Sequence, residues 1–110
     1  MVRARNEHRF VFPDGQAVSN QLDIGDGCFG SLIVPSGSGL IGKTLNVRAV
    51  SRTGAFSSVN LLATAKTLAS GSNPFTAEEL LEIGAASVVE LVINTAVSGA
   101  DSPCFLLWKS

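Results

Sequence analysis

The residues best spaced for chemistry are Gly37-Ser-Gly-Leu-Ile-Gly42-Lys43-Thr44, which match the phosphate-loop pattern GxxxxGK(S/T) letter by letter and follow an apolar strand. Such a loop holds nucleotide phosphates only when it runs straight into an α-helix, whose N-terminal amides and dipole complete the cradle. The residues that follow, Leu45-Asn-Val-Arg-Ala-Val50, alternate apolar and polar as a strand does, and Arg52-Thr-Gly54 turns the chain. A nucleotide hydrolase also needs an acidic residue closing another buried strand to hold magnesium, and no apolar run here ends that way. The segment is therefore read as a glycine-rich hairpin loop that binds no nucleotide.

The other reactive side chains are scattered. His8 is the only histidine, so neither a catalytic triad nor a histidine metal site can be assembled around a second imidazole. Cys28 and Cys104 lie in separate apolar runs without a CxxC partner and read as buried thiols and not as nucleophiles, with a disulfide between the two as the lesser alternative. Glu78, Glu79 and Glu82 are expected on the solvated face of a two-turn helix. With Glu90 they make an acidic cluster opposite in charge to the basic start of the chain, an asymmetry that suits head-to-tail docking. Six phenylalanines occur singly, with no tyrosine and one tryptophan, which is core filling and not a base-stacking platform. No catalytic residue, metal ligand or cofactor is expected.

The elements that must position these residues are short and mostly extended. Arg9-Phe-Val-Phe12 is a strand ended by the Pro13-Asp-Gly15 turn, and 17–24 reads as a half-buried strand with Val18, Asn20, Leu22 and Ile24 on one face. Further strands are expected at 28–34, 43–51 and 56–62, a short one near 66–68, and two last ones at 88–95 and 103–108. Thr76 followed by Glu79 forms a capping box, with Leu80, Leu81 and Ile83 as the apolar side of a helix near 77–83 and Gly84 as its C′ residue. Seven or eight short strands with frequent turn signals predict an all-β fold, an antiparallel β-sandwich or jelly roll carrying one short helix.

With 110 residues the chain makes a single domain: residues 1–12 as a basic N-terminal arm and first strand, 13–110 as the β-sandwich. Hydrophobic residues make up 45% and charged residues only 15%, against roughly 25% charged in typical soluble domains. So sparse a charge implies that part of the surface is covered by a neighbour. A net charge of −1 argues against a nucleic-acid partner. No run approaches the ~20 apolar residues needed to span a bilayer, and MVRARNEHRF lacks the apolar stretch of a secretory signal.

Most of residues 16–108 resembles the small decoration (cement or staple) proteins that coat the heads of tailed bacteriophages. The resemblance is carried by Ser19-Asn-Gln-Leu-Asp-Ile-Gly25, Cys28-Phe-Gly-Ser-Leu-Ile-Val-Pro-Ser36, Lys43-Thr-Leu-Asn-Val-Arg-Ala-Val-Ser51, the helical link Thr76 to Gly84 and a last strand ending at Trp108. It implies a structural virion protein, assembled in the host cytoplasm, that sits on the capsid exterior and bridges major capsid subunits as a dimer or trimer. The chain lacks the long arm and the glycine or proline repeat of some such proteins, which leaves the symmetry open. Arg3, Arg5, Arg9, Phe10, Phe12 and Trp108 are the expected partner contacts, through an arm added to a neighbouring sheet. The alternative is a carbohydrate- or receptor-binding jelly-roll module, disfavoured by the scarcity of aromatic rings for a sugar to stack on.

Overall fold

A computed structural model describes residues 5–25 and 29–109 of the chain. Two antiparallel sheets enclose one core. The first contains β1 (Arg5–Phe12), β9 (Ser102–Lys109), β3 (Phe29–Val34) and β7 (Gly71–Pro74), in that order across the sheet. The second contains β2 (Leu22–Asp23), β8 (Val88–Ile93), β4 (Thr44–Ala49) and β5 (Val59–Asn60), with β6 (Lys66–Thr67) also paired to β4.

The pairing is nested. β1 pairs with β9, β2 with β8, β3 with β7 and β4 with β5, all antiparallel, so the chain is one long ribbon folded back on itself near residues 50–58. Successive ribbon segments fall in opposite sheets. The winding brings β9 between β1 and β3, and β8 between β2 and β4.

Alternation explains which side chains fill the interior. Leu45, Val47 and Ala49 of β4 point inward as expected, and so do Phe10 and Phe12, Leu32 and Val34, Val89, Leu91 and Ile93, and Cys104, Leu106 and Trp108. The all-β expectation and the extended path after Lys43 therefore hold. Burying each large aliphatic or aromatic side chain contributes roughly 1.5–3 kcal/mol, so this alternation is the main favourable term of the fold.

The helix α1 (Ala77–Ile83) forms where its capping box predicts, with the Glu79 amide donating to the Thr76 hydroxyl and the Thr76 amide to the Glu79 carboxylate. Gly84 differs from expectation: it is the C-cap itself, with a right-handed φ of −64°, and its amide donates to the Leu80 carbonyl. Leu80 and Ile83 turn toward the core, while the Glu82 carboxylate accepts from the Ala63 amide and Glu79 pairs with Lys66 of β6. The helix thus spans from the end of β7 in one sheet to the β5–β6 segment of the other and closes that side of the sandwich.

Three segments depart from the alternation reading. Between 17 and 24 only Val18 bridges to Val92 and only Leu22–Asp23 is a strand. Ser19, expected on the polar face, is buried, because its amide donates to the Leu91 carbonyl while its hydroxyl accepts from the Leu91 amide. A side chain here takes over half of a ladder pairing. The strand expected at 56–62 shrinks to Val59–Asn60, leaving Phe56 and Val59 about half exposed. Residues 71–74, which lie outside every expected strand, form edge strand β7, because buried Asn73 donates to the carbonyls of Leu32, Ala69 and Gly71 and accepts from the Ala69 amide.

One contact constrains the core more tightly than volume alone requires. A Cβ placed on Gly30 would lie 2.6 Å from the ring of Trp108, which crosses from the neighbouring strand. Gly30→Ala is therefore expected to cost about 1–3 kcal/mol through overpacking, and to alter Trp108 fluorescence in the folded state. Urea titration followed by that fluorescence measures both; an unchanged midpoint would mean that the ring has room to shift.

Candidate docking surface

The phosphate-loop pattern spends its amides internally. Ser38 donates to the Pro35 carbonyl, Lys43 to Leu40, and Gly42 to Leu68, while the Thr44 amide donates to the Asn94 side chain. Leu40 is fully buried as a plug between the two ends of the loop, and Gly42 takes a φ of 84° that a side chain would oppose. β4 then leaves as a strand, so no helix terminus faces the loop.

The reactive groups are likewise committed to the fold. Burial pushes the Cys104 thiol up to about 12, so it carries no thiolate near neutrality, and Cys104 is free of any disulfide. Cys28 lies outside the described residues. The acidic cluster is largely drawn into the fold. Glu90 is buried against Arg48 at 2.9 Å, Glu79 is held by Lys66 at 3.1 Å, and Glu82 accepts from the Ala63 amide, leaving only Glu78 of the four without such a contact among the described residues. Glu79 and Glu82 therefore do not form the solvated face expected of them: they anchor α1 to the second sheet. Lys66 also lies over the Phe75 ring, 5.4 Å from its centroid.

The expected partner contacts divide by strand parity. Phe10, Phe12 and Trp108 are 0%, 0% and 1% exposed, and so have no surface to offer a partner. They occupy inward positions of β1 and β9, a consequence of the two-residue period that a list of aromatic anchors overlooks. Arg9 is on the outward side of β1 and exposed, as is Glu7. The side chain of Arg5 and the whole of Arg3 lie outside what the structure describes. The residues from 5 to 12 are not a free arm: all eight pair with β9, from Arg5 opposite Lys109 to Phe12 opposite Ser102.

The same parity exposes a surface that the aromatic count missed. On the outward face of the first sheet, Val11 stands opposite Pro103, Arg9 opposite Phe105 and then Ile33, and Glu7 opposite Leu107 and then Ser31. Val11, Ile33, Pro103 and Phe105 are half-buried by their neighbours alone, and Leu107 is 43% exposed. The result is a continuous apolar band rimmed by Arg9, Glu7 and Lys109. The outward face of the second sheet is broken up by polar groups instead: Thr44, Asn46 and the Arg48–Glu90 pair punctuate its valines, and Asn46 exchanges two hydrogen bonds with Leu62. The signal for the band was present in 103–108, where the odd positions Pro103, Phe105 and Leu107 are as apolar as the even ones.

Two outcomes follow from these assignments. Calorimetry with millimolar Mg-ATP should give no saturable heat, and saturable binding that Lys43→Ala abolishes would overturn the loop assignment. For Glu79, burial opposes the charged form, but the Thr76 amide and the Lys66 ammonium outweigh it and hold the carboxyl below its ordinary 4.5. A carboxyl lowered in the folded state stabilises above its unfolded value, and that contribution is lost as pH falls below 4.5 through the folded value. Urea titrations on either side of that pH should show a smaller acid loss for Glu79→Gln than for the parent; equal losses would remove this carboxylate from acid unfolding. No protein-family model, curated protein or solved structure matches the chain.

Proposed function

We propose that this protein is a structural virion protein that lies on the outer surface of a phage capsid and stabilises it by tying major capsid subunits together. The apolar band on the first sheet carries this reading. A chain with few charges that leaves Val11, Ile33, Pro103, Phe105 and Leu107 side by side on one face has a surface suited to a protein neighbour. Arg9, Glu7 and Lys109 at the margin supply the polar rim that fixes orientation on such a neighbour.

The nested ribbon supports the same reading. We take the order β1-β9-β3-β7 facing β2-β8-β4-β5 as a jelly roll, the double-sheet architecture that recurs in viral coat proteins. Its compactness suits a protein present in many identical copies, and it works without turnover of any substrate. An architecture alone assigns no activity, so the sequence resemblance to decoration proteins and the exposed band together select this function over other jelly-roll roles.

The test is binding to purified shells of the same virion. Leu107→Asp puts a charge on the most exposed apolar residue of the band without touching the core, so the variant should fold while its affinity for shells falls by about tenfold or more. Unchanged occupancy on the shells would show that this face is not the contact.

A further inference from the structure

We propose that two copies of the free chain pair face to face through the outward surface of the first sheet, about a two-fold axis that crosses the strands midway between Arg9 and Glu7. The pairing concerns the chain on its own and stands whether or not the capsid reading does.

The outward residues lie in rows across the sheet. Arg9, Phe105 and Ile33 form one row, and Glu7, Leu107 and Ser31 the next. Arg9 and Glu7 are both exposed on the marginal strand β1, and among the described residues neither belongs to an ion pair. Beside them the rows are apolar, through half-buried Phe105 and exposed Leu107. One free charge of each sign, set in successive rows at the same margin of an apolar strip, makes a surface complementary to its own copy.

Charge fixes where the axis lies. Two faces related by a two-fold axis across the strands meet with β1 on β1 and β9 on β9, their rows running in opposite order. An axis through the Arg9 row sets Arg9 against its own copy, and an axis through the Glu7 row does the same with Glu7; both are like-charge contacts that destabilise. Midway between the rows, Arg9 faces the partner's Glu7 and Phe105 stacks on the partner's Leu107, each contact formed twice. Lys109 then falls toward Pro103 of the other copy, where its stem lies on the ring and its ammonium stays in water. An axis parallel to the strands keeps every row over itself, so it never brings Arg9 to Glu7. Packed twisted sheets cross at about 30°, an offset that the long side chains of Arg9 and Glu7 span.

Area sets the strength. Strands of eight, eight, six and four residues present roughly 400 Å² per copy, half the ~800 Å² per partner of a standard stable interface, so the dimer is weak and exchanges. One consequence does rest on the capsid reading: the free chain keeps its band covered by a second copy and releases it by mass action when the shell binds more tightly.

Sedimentation equilibrium of the full chain between about 10 µM and about 1 mM should follow a monomer–dimer equilibrium, with a dissociation constant on the order of 100 µM. Arg9→Glu turns both pairs into like-charge contacts and should raise that constant by about tenfold; adding Glu7→Arg re-forms the pairs with their signs exchanged and should return it to the parent's value. Both positions are exposed, so the thermal transitions should stay close to the parent's. If a variant fails to fold, the parent still decides, because raising salt from about 0.05 M to about 0.5 M should weaken its dimer severalfold by screening the two pairs. A parent that is monomeric at about 1 mM overturns the dimer. Absence of rescue in the double variant, or a dimer indifferent to salt, overturns the axis. No shell takes part in these measurements, so their failure leaves the capsid reading standing, and that reading fails separately, on the occupancy of shells.

Discussion

The molecule depends on one strand being held between two others. β9 pairs along its whole length with β1 and over five residues with β3, and its inward side chains Cys104, Leu106 and Trp108 are all buried. These contacts join the two ends of the chain across about a hundred residues, so they form only after much of the conformational entropy of closing that loop has been lost. Packing must offset that loss. Trp108 against the bare backbone of Gly30 is where the offset is most exacting, because the ring occupies the position that any side chain on residue 30 would need.

The register of that strand also determines what the molecule can show to a partner. Once Phe10 faces Cys104 and Leu32 faces Leu106 on the inside, the intervening residues have no choice but to face out. Arg9, Phe105 and Ile33 then form one row, Glu7, Leu107 and Ser31 the next. The second sheet follows the same rule with different consequences, since its outward positions hold Asn46, which satisfies the backbone of Leu62, and the Arg48–Glu90 pair. One face is thus occupied with internal hydrogen bonds while the other is left apolar.

The two open sides of the sandwich are closed by unlike means. On one, α1 is held by its capping box, by the Lys66–Glu79 pair and by the Ala63 amide on Glu82, so the acidic residues of the helix serve its anchoring. Asn20 does the corresponding work on the other side, with a single side chain reaching from the second sheet's margin to the backbone of β1. A helix can cover an edge over its full length; one amide covers two residues.

The sequence by itself determined whatever depends on neighbours a few residues away. Alternation in 44–49 and the short apolar runs in 88–93 and 103–108 specified strands, Thr76 and Glu79 specified the start of the helix, and the strand that follows Lys43 disqualified the phosphate-loop pattern. Tertiary structure decided what depends on partners distant in the chain. Ser19 is buried because Leu91 lies beside it, β7 exists because Asn73 reaches Leu32, and Glu79 and Glu82 are engaged because β6 and its preceding loop lie beneath the helix. Phe10, Phe12 and Trp108 became core, and Phe105 and Leu107 surface, for the same reason: a two-residue period says that a strand has two unlike faces, but only the opposing sheet says which of them is covered.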